Sequence, residues 1–203
     1  MPGSLFIVAA PSGSGKSTLV NALLAKEPGI SLSISYTSRG PRPGEEDGKH
    51  YHFVSREKFE DMVNDGDFFE YALVHGDLKG TARQSVVPLL NAGKDVLLEI
   101  DYQGAQRVRA QVPAAVSIFI LPPSRPELER RLRTRAKDTE ATILRRLADS
   151  RKEIAHAWEF DYVVVNEDFE TALEQLSTIV RATRLHRRVQ QQRLKGLFDS
   201  LLA

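Results

Sequence analysis

Eight consecutive residues, Ala10-Pro11-Ser12-Gly13-Ser14-Gly15-Lys16-Ser17, put two glycines, three serines and a lysine into one short loop. Glycine lets a main chain approach a ligand closely and adopt positive φ, so successive backbone N–H groups can turn inward around an anion. A lysine and a hydroxyl closing such a loop add a charge for terminal phosphates and an oxygen for Mg²⁺. The pattern is a phosphate-binding P-loop continuing into Thr18, with Ala10 standing where the general motif has its first glycine. An apolar run precedes the loop and a helical period follows it, which is the strand–loop–helix setting the motif requires. The bland alternative is a Gly/Ser turn with an exposed lysine. The loop speaks for a nucleoside triphosphate and leaves the reaction open.

A second concentration of anion-binding groups runs from Ser35 to Tyr51, in a loop stiffened by Pro41 and Pro43. Arg39 and Arg42 are spaced to fork onto one phosphate, and a tyrosine hydroxyl can complete the grip. A solvated loop of mixed Pro, Gly and charge would look much the same. After the P-loop there is no Asn-Lys-x-Asp string for a GTPase, and neither the His-Arg-Asp nor the Asp-Phe-Gly of a protein kinase occurs. Transfer to a small acceptor is what remains in front.

These groups need a scaffold. Apolar runs at 5–10, 96–100, 116–121 and 162–165 are continuous rather than alternating, as in strands covered on both faces. Segments of helical period lie at 16–24, 103–110, 126–135, 140–158 and from about 169 to the C-terminus. The alternation predicts an α/β fold with a mostly parallel sheet flanked by helices. From Ile30 to Leu78 the order breaks: Ile30, Leu32 and Ile34 alternate with serines, a Pro/Gly-rich loop follows, and Tyr51–Val54 and Phe68–Ala72 look extended. This predicts a small, mainly β lobe inserted after the first helix, with Ser55 capping one short helix. Thr134 to Glu140, charged and poor in apolar anchors, reads as a mobile loop or lid.

A chain of 203 residues with 41% hydrophobic and 27% charged residues suits one folded domain and excludes a disordered one. With Lys+Arg 28 against Asp+Glu 27, no whole-molecule field draws it to nucleic acid or an anionic membrane. The lack of cysteine excludes disulfides, thiolate zinc sites and a cysteine nucleophile. The N-terminal apolar run is only six residues long with no basic region before it, which fits neither a signal peptide nor a spanning helix.

The strings APSGSGKST, TSRxPRxGExxGxxY from Thr37 to Tyr51, FFEYA with Glu70, LLEIDYQGA from Leu97 to Ala105, IFILPPS from Ile118 to Ser124 and DYVVVN from Asp161 to Asn166 span most of the chain in that order. Through them the sequence resembles the guanylate kinase family, whose members move phosphate from ATP to GMP. The resemblance implies one domain with a P-loop core (1–34, 81–124, 156–203), a GMP-binding lobe (35–80) and a helical lid (125–155). It implies an ATP site on Ala10, Pro11, Ser12, Gly13, Ser14, Gly15, Lys16, Ser17 and Thr18, with Asn166 at the adenine. Ser17 would serve Mg²⁺, with Asp101 or Glu99 behind it. Arg39, Arg42 and Tyr51 would hold the GMP phosphate beside Glu45 and Lys79, and Ser35, Glu70, Thr81 and Asp101 would lie around the guanine. Lys16, Arg39 and the lid arginines Arg131, Arg135 and Arg146 would act on the transferring group. The implied reaction is in-line transfer from ATP, with Mg²⁺, to GMP or dGMP in the cytoplasm. It needs no nucleic-acid or membrane partner and leaves room for a homo-oligomer.

Glu70 also has a physical reading: a carboxylate accepts two hydrogen bonds, and guanine offers the adjacent pair of donors that adenine lacks. A lone glutamate at a strand end would ordinarily just face solvent, and arginine-rich helices ordinarily form pairs such as Glu127 with Arg131. Two departures from the family pattern stand out. Leu78-Lys79 precede Gly80-Thr81 where relatives carry paired tyrosines, and Ala136 follows Arg135 where glycine is usual. His50 and His52 share a strand face without a third ligand, and Trp158 reads as a core anchor. Between Arg181 and Lys195 lie six Lys/Arg and no acid, a solvated helix face or a nucleic-acid contact. The rival from another class is a catalytically weak guanylate-kinase-like module that binds proteins.

Overall fold

The structure is a computed structural model that describes residues 3–74, 76–134 and 139–203. Leu5–Ala9 (β1), buried throughout, lies in parallel between Asp95–Glu99 (β7) and Val116–Leu121 (β8). Tyr162–Val165 (β9) pairs in parallel with the far side of β8. Period two sends Leu5, Ile7 and Ala9 to one face and Phe6 and Val8 to the other, and both faces are covered. On the first face Arg83–Asn91 (α3) and Tyr102–Gln111 (α4) pack through Val86, Leu90, Ala105 and Val108. On the second, Lys16–Lys26 (α1) and Phe169–Leu185 (α7) pack through Leu19, Leu23, Leu176 and Val180.

Ile30–Leu32 (β2) pairs in parallel with β7, giving the all-parallel order β2-β7-β1-β8-β9. The alternation at Ile30 therefore marks an edge strand of the central sheet, half-covered, and not the start of the inserted lobe. The lobe's sheet is separate and mixed. Tyr36–Thr37 (β3), His52–Phe53 (β4), Phe68–Val74 (β5) and Asp77–Ala82 (β6) run in the order β4-β3-β6-β5, with only β3 and β4 parallel. Arg56–Asn64 (α2) covers it by placing Phe59 and Met62 on Phe68 and Ala82, and Ser55 caps it by accepting the Lys58 N–H at 3.1 Å. Neither β6 nor α3 is expected from the sequence.

Arg125–Thr134 (α5) and Glu140–Ile154 (α6) form a hairpin around Leu128, Leu132 and Ile143, clasped by Arg133, which bonds Glu129 and Glu140. The expected lid residues Arg135 and Ala136 lie outside the described residues. Three expectations about the C-terminal third are corrected. The α6 helix ends at Ile154 and a 3₁₀ turn follows at Ala157–Glu159, which buries Ala157 and Phe160 and leaves Trp158 86% exposed rather than in the core. Strand β9 is an edge, so Tyr162 and Val165 are each 43% exposed. The final helix is broken: His186 takes extended backbone, and Arg187–Arg193 (α8) and Lys195–Leu202 (α9) follow as separate helices. Half of the basic run is not a solvated face, because Arg181, Arg184 and Arg193 reach the buried carboxylates of Glu27 and Asp95.

Candidate active site

The P-loop leaves β1 at its C-terminal end, where open parallel sheets bind ligands. Gly13 and Gly15 hold φ of 92° and 85°, which only glycine adopts without strain. Gly15 caps α1 without a side-chain hydrogen bond, so the first-turn N–H groups stay available to an anion. The Lys16 ammonium donates to the Ile100 carbonyl at 2.9 Å, and the Ser17 hydroxyl donates to Glu99. Burial lowers the Lys16 pKa, opposed by the carboxylates of Glu99, Asp101 and Glu153. Around these, Pro11 and Ser14 are buried, Ala10 is half-buried, and Ser12 and Thr18 are exposed.

The loop is braced from behind. Asn166, 6% exposed, donates its amide to the Ser14 carbonyl at 2.7 Å, and a Cβ on Gly15 would come within 2.5 Å of that amide. A Cβ on Gly13 would meet Leu128 and Leu132, so α5 packs directly on the loop. Arg131 is pinned by Glu127 at 2.7 Å and donates to the Asn166 carbonyl at 3.1 Å. Glu127 itself is held down to about 2 by Arg130 and then Arg131. Arg146 is half-buried on α6, where its carbonyl accepts the Ser150 hydroxyl.

A second centre follows from strand register. Glu70 on β5 faces Thr81 on β6, and their side chains bond at 2.7 Å. Ser35 lies one step beyond the Tyr36–Gly80 pair, in the direction of Thr81. Asp101 caps α4 by accepting the Gly104 N–H at 2.7 Å. Glu70 is 8% exposed, and burial raises its pKa; the Thr81 bond lowers it, while the Asp101 charge adds to the rise. Asp101 thus acts on Lys16 on one side and on Glu70 on the other.

In the third group, Arg39 grips Glu45 with two bonds of 2.6 and 2.7 Å, and Glu45 also accepts the Arg42 N–H at 2.8 Å. These contacts, the Arg39 bond first, hold the Glu45 carboxyl down to about 2. The Arg39 guanidinium lies 5.2 Å from the Tyr51 ring centre, and the Lys79 ammonium lies 3.5 Å from the Tyr51 hydroxyl. The Arg42 side chain is exposed on the same loop.

Sequence reasoning missed Glu153. It lies on α6 near Lys16, and burial pushes its carboxyl up, opposed by the Ser12 backbone and the Lys16 charge. Its position seven residues after Arg146, on the same helix face two turns on, was the available signal. Gly104 was also missed, though its motif was noticed. His50 accepts the Glu46 N–H, and His52 packs on Tyr36 with ring centres 4.6 Å apart. A cavity of about 540 Å³ lined by Gly3, Leu90, Val116, Tyr162 and Thr183 opens at the opposite end of the strands, away from all three groups.

The family description Guanylate kinase matches residues 3–183. A guanylate kinase of Xanthomonas campestris pathovar campestris is 61% identical over 202 residues, covering 100% of both chains. That of Xylella fastidiosa strain Temecula1 is 58% identical, covering 100% of this chain and 99% of its own. The crystal structure of guanylate kinase from Anaplasma phagocytophilum superposes with a TM-score of 0.74 at 34% identity, over 95% of each chain. A P-loop whose lysine lies beside Asp101 and the buried Glu70–Thr81 pair, in a fold and sequence matched from end to end, leads to one conclusion: the chain belongs to the guanylate kinase family.

Proposed function

We propose a division of labour within a chain that, as a guanylate kinase, transfers a phosphoryl group from ATP to GMP. The P-loop, residues 10 to 18, takes the ATP phosphates, with Lys16 on the terminal ones and Asn166 holding the loop and the adenine side. The lobe at 35–80 takes GMP: Arg39, Arg42, Glu45, Tyr51 and Lys79 at its phosphate, and Ser35, Glu70, Thr81 and Asp101 around its base. The hairpin at 125–155 is the lid, bringing Arg131, Arg135 and Arg146 to the transferring group. dGMP, which carries the same base and phosphate, is proposed as a second acceptor. The setting is the cytoplasm, and no helix among the described residues is long and apolar enough to cross a membrane.

The Ser17 hydroxyl and the Glu99 carboxylate form an oxygen donor pair at the mouth of the P-loop, which suits Mg²⁺. No full cage of protein ligands is needed, because Mg²⁺ keeps waters and shares phosphate oxygens. When bound, Mg²⁺ would supply charge neutralisation for the phosphates held by the loop. The protein's own part is positioning and charge. The acceptor is an anionic phosphate oxygen, a ready nucleophile, so no covalent enzyme intermediate is needed. Lys16 and the arginines meet charge spread over the equatorial oxygens once water is excluded.

The observation that supports this reading is the position of Asp101, one residue after the Ile100 carbonyl that accepts the Lys16 ammonium, with its carboxylate accepting the Gly104 N–H beside the Glu70–Thr81 pair. Steady-state kinetics of Lys16→Met and Glu70→Gln test it. Lys16→Met lowers kcat by roughly two to three orders of magnitude with both substrates saturating. Glu70→Gln leaves one acceptor for two donors and weakens GMP by about 1–3 kcal/mol. An unchanged preference for GMP over AMP in Glu70→Gln would move base recognition elsewhere.

A further inference from the structure

The Glu70 carboxylate has two oxygens in different circumstances. Oε1 accepts the Thr81 hydroxyl at 2.7 Å. Oε2 faces Gly104, and a Cβ there would lie 3.1 Å from Oε2, 3.3 Å from the carboxyl carbon and 3.4 Å from Asp101 Oδ1. Gly104 sits in the first turn of α4, donating its N–H to Asp101, and its φ is not positive. Backbone conformation therefore does not demand glycine, and helix propensity argues against it. The missing Cβ has a steric use instead.

We propose that Gly104 is a specificity-determining position: by presenting no side chain to Glu70, it lets the carboxylate sit where both of its oxygens serve the guanine edge. This rests on the assignment of Glu70 to the base. A methyl group at 3.1 Å forces neighbours to shift by a few tenths of an ångström. The α4 backbone is held by the Asp101 cap, the Gln111 amide on the Phe69 carbonyl and Arg107 on the Tyr71 carbonyl. The carboxylate is what yields, and it moves toward the strand pair and off the donors of the base. Gly104 acts only through Glu70, so it is a positioning residue and touches no reacting atom.

The test is a double-mutant cycle on the full chain with Gly104→Ala, Glu70→Asp and both together, reading KM for GMP, KM for ATP and the GMP-to-AMP ratio of kcat/KM. Gly104→Ala raises KM for GMP about tenfold, the worth of one well-placed hydrogen bond, with KM for ATP unchanged. Glu70→Asp withdraws the carboxylate by one methylene, so in that background Gly104→Ala costs nothing further. A GMP KM within about twofold of the parent, or losses that simply multiply, overturns the proposal. So does a parallel loss of ATP and GMP binding, which would mean that α4 itself was damaged. Glu70→Gln runs alongside: if it keeps the parent preference, the assignment of Glu70 and this inference fall together, whereas a loss there without one in Gly104→Ala removes Gly104 alone.

Discussion

Lys79 stands on β6 opposite Thr37, with its ammonium 3.5 Å from the hydroxyl of Tyr51 and 5.3 Å from that ring's centre. Arg39, by contrast, is held in place by Glu45, which takes two of its N–H groups and leaves others for an anion. A lysine is a compact charge on a flexible stem, which attracts a dianion from farther away than a phenol but fixes it less strictly. GMP affinity therefore falls more steeply with potassium chloride in this chain than in a Lys79→Tyr variant, as read by titration at low and high salt. Matching slopes would take Lys79 out of the phosphate site. Residue identity was legible where chemistry dictates type. The glycines at 13 and 15 and Lys16 stood out because a phosphate loop constrains both residue type and spacing, and Glu70 stood out for its two acceptors, whereas its bond to Thr81 emerges only from the strand register. Glu153 and the Ile100 carbonyl were not, since their roles depend on α6 and β7 arriving at one loop from distant parts of the chain.

At the scale of elements, the α5–α6 pair is anchored on the P-loop by α5. Leu132 is fully buried, packs with Leu128 and Ile143, and lies against Gly13. Leu132→Ala leaves a cavity in a satellite cluster too small to repack, costing about 2–5 kcal/mol locally. Hydrogen exchange should then speed up in α5 and α6 while β1, β7 and β8 keep their protection, with a higher KM for ATP. Uniform acceleration across the central sheet would show that the hairpin is not a separate unit. The parallel strands were legible because a short, continuously apolar run suits a strand covered on both faces and is too apolar for a surface loop. Helix α3 was hidden by Pro88 near its middle, and β6 by the glycine and charges of a short hairpin strand. The break at His186 was hidden because Arg184 turns inward to Asp95, Glu27 and the Pro28 carbonyl in a stretch whose charge suggested solvent. Trp158 was misread for a related reason: the turn buries Ala157 and Phe160 in its place.

Across the whole molecule, two sheets meet at α4. Its cap Asp101 closes the end of β7 beside the P-loop, and its first turn lies on Glu70 of the second sheet. Under the proposed division of labour, this junction would make one site of two half-sites, a triphosphate on the central sheet and a guanine on the lobe. Net charge contributes little to selection, since the formal balance is only +1. On the proposed assignment, selectivity comes from the buried Glu70 carboxylate and its neighbours, where an unpaired acceptor facing the wrong base is costly. The most direct measurement is a coupled assay of ADP release from ATP with Mg²⁺ and each of GMP, AMP, CMP and UMP at equal concentration. The account predicts rapid release with GMP and background with the other three; turnover of AMP equal to that of GMP, or none with any acceptor, would contradict it.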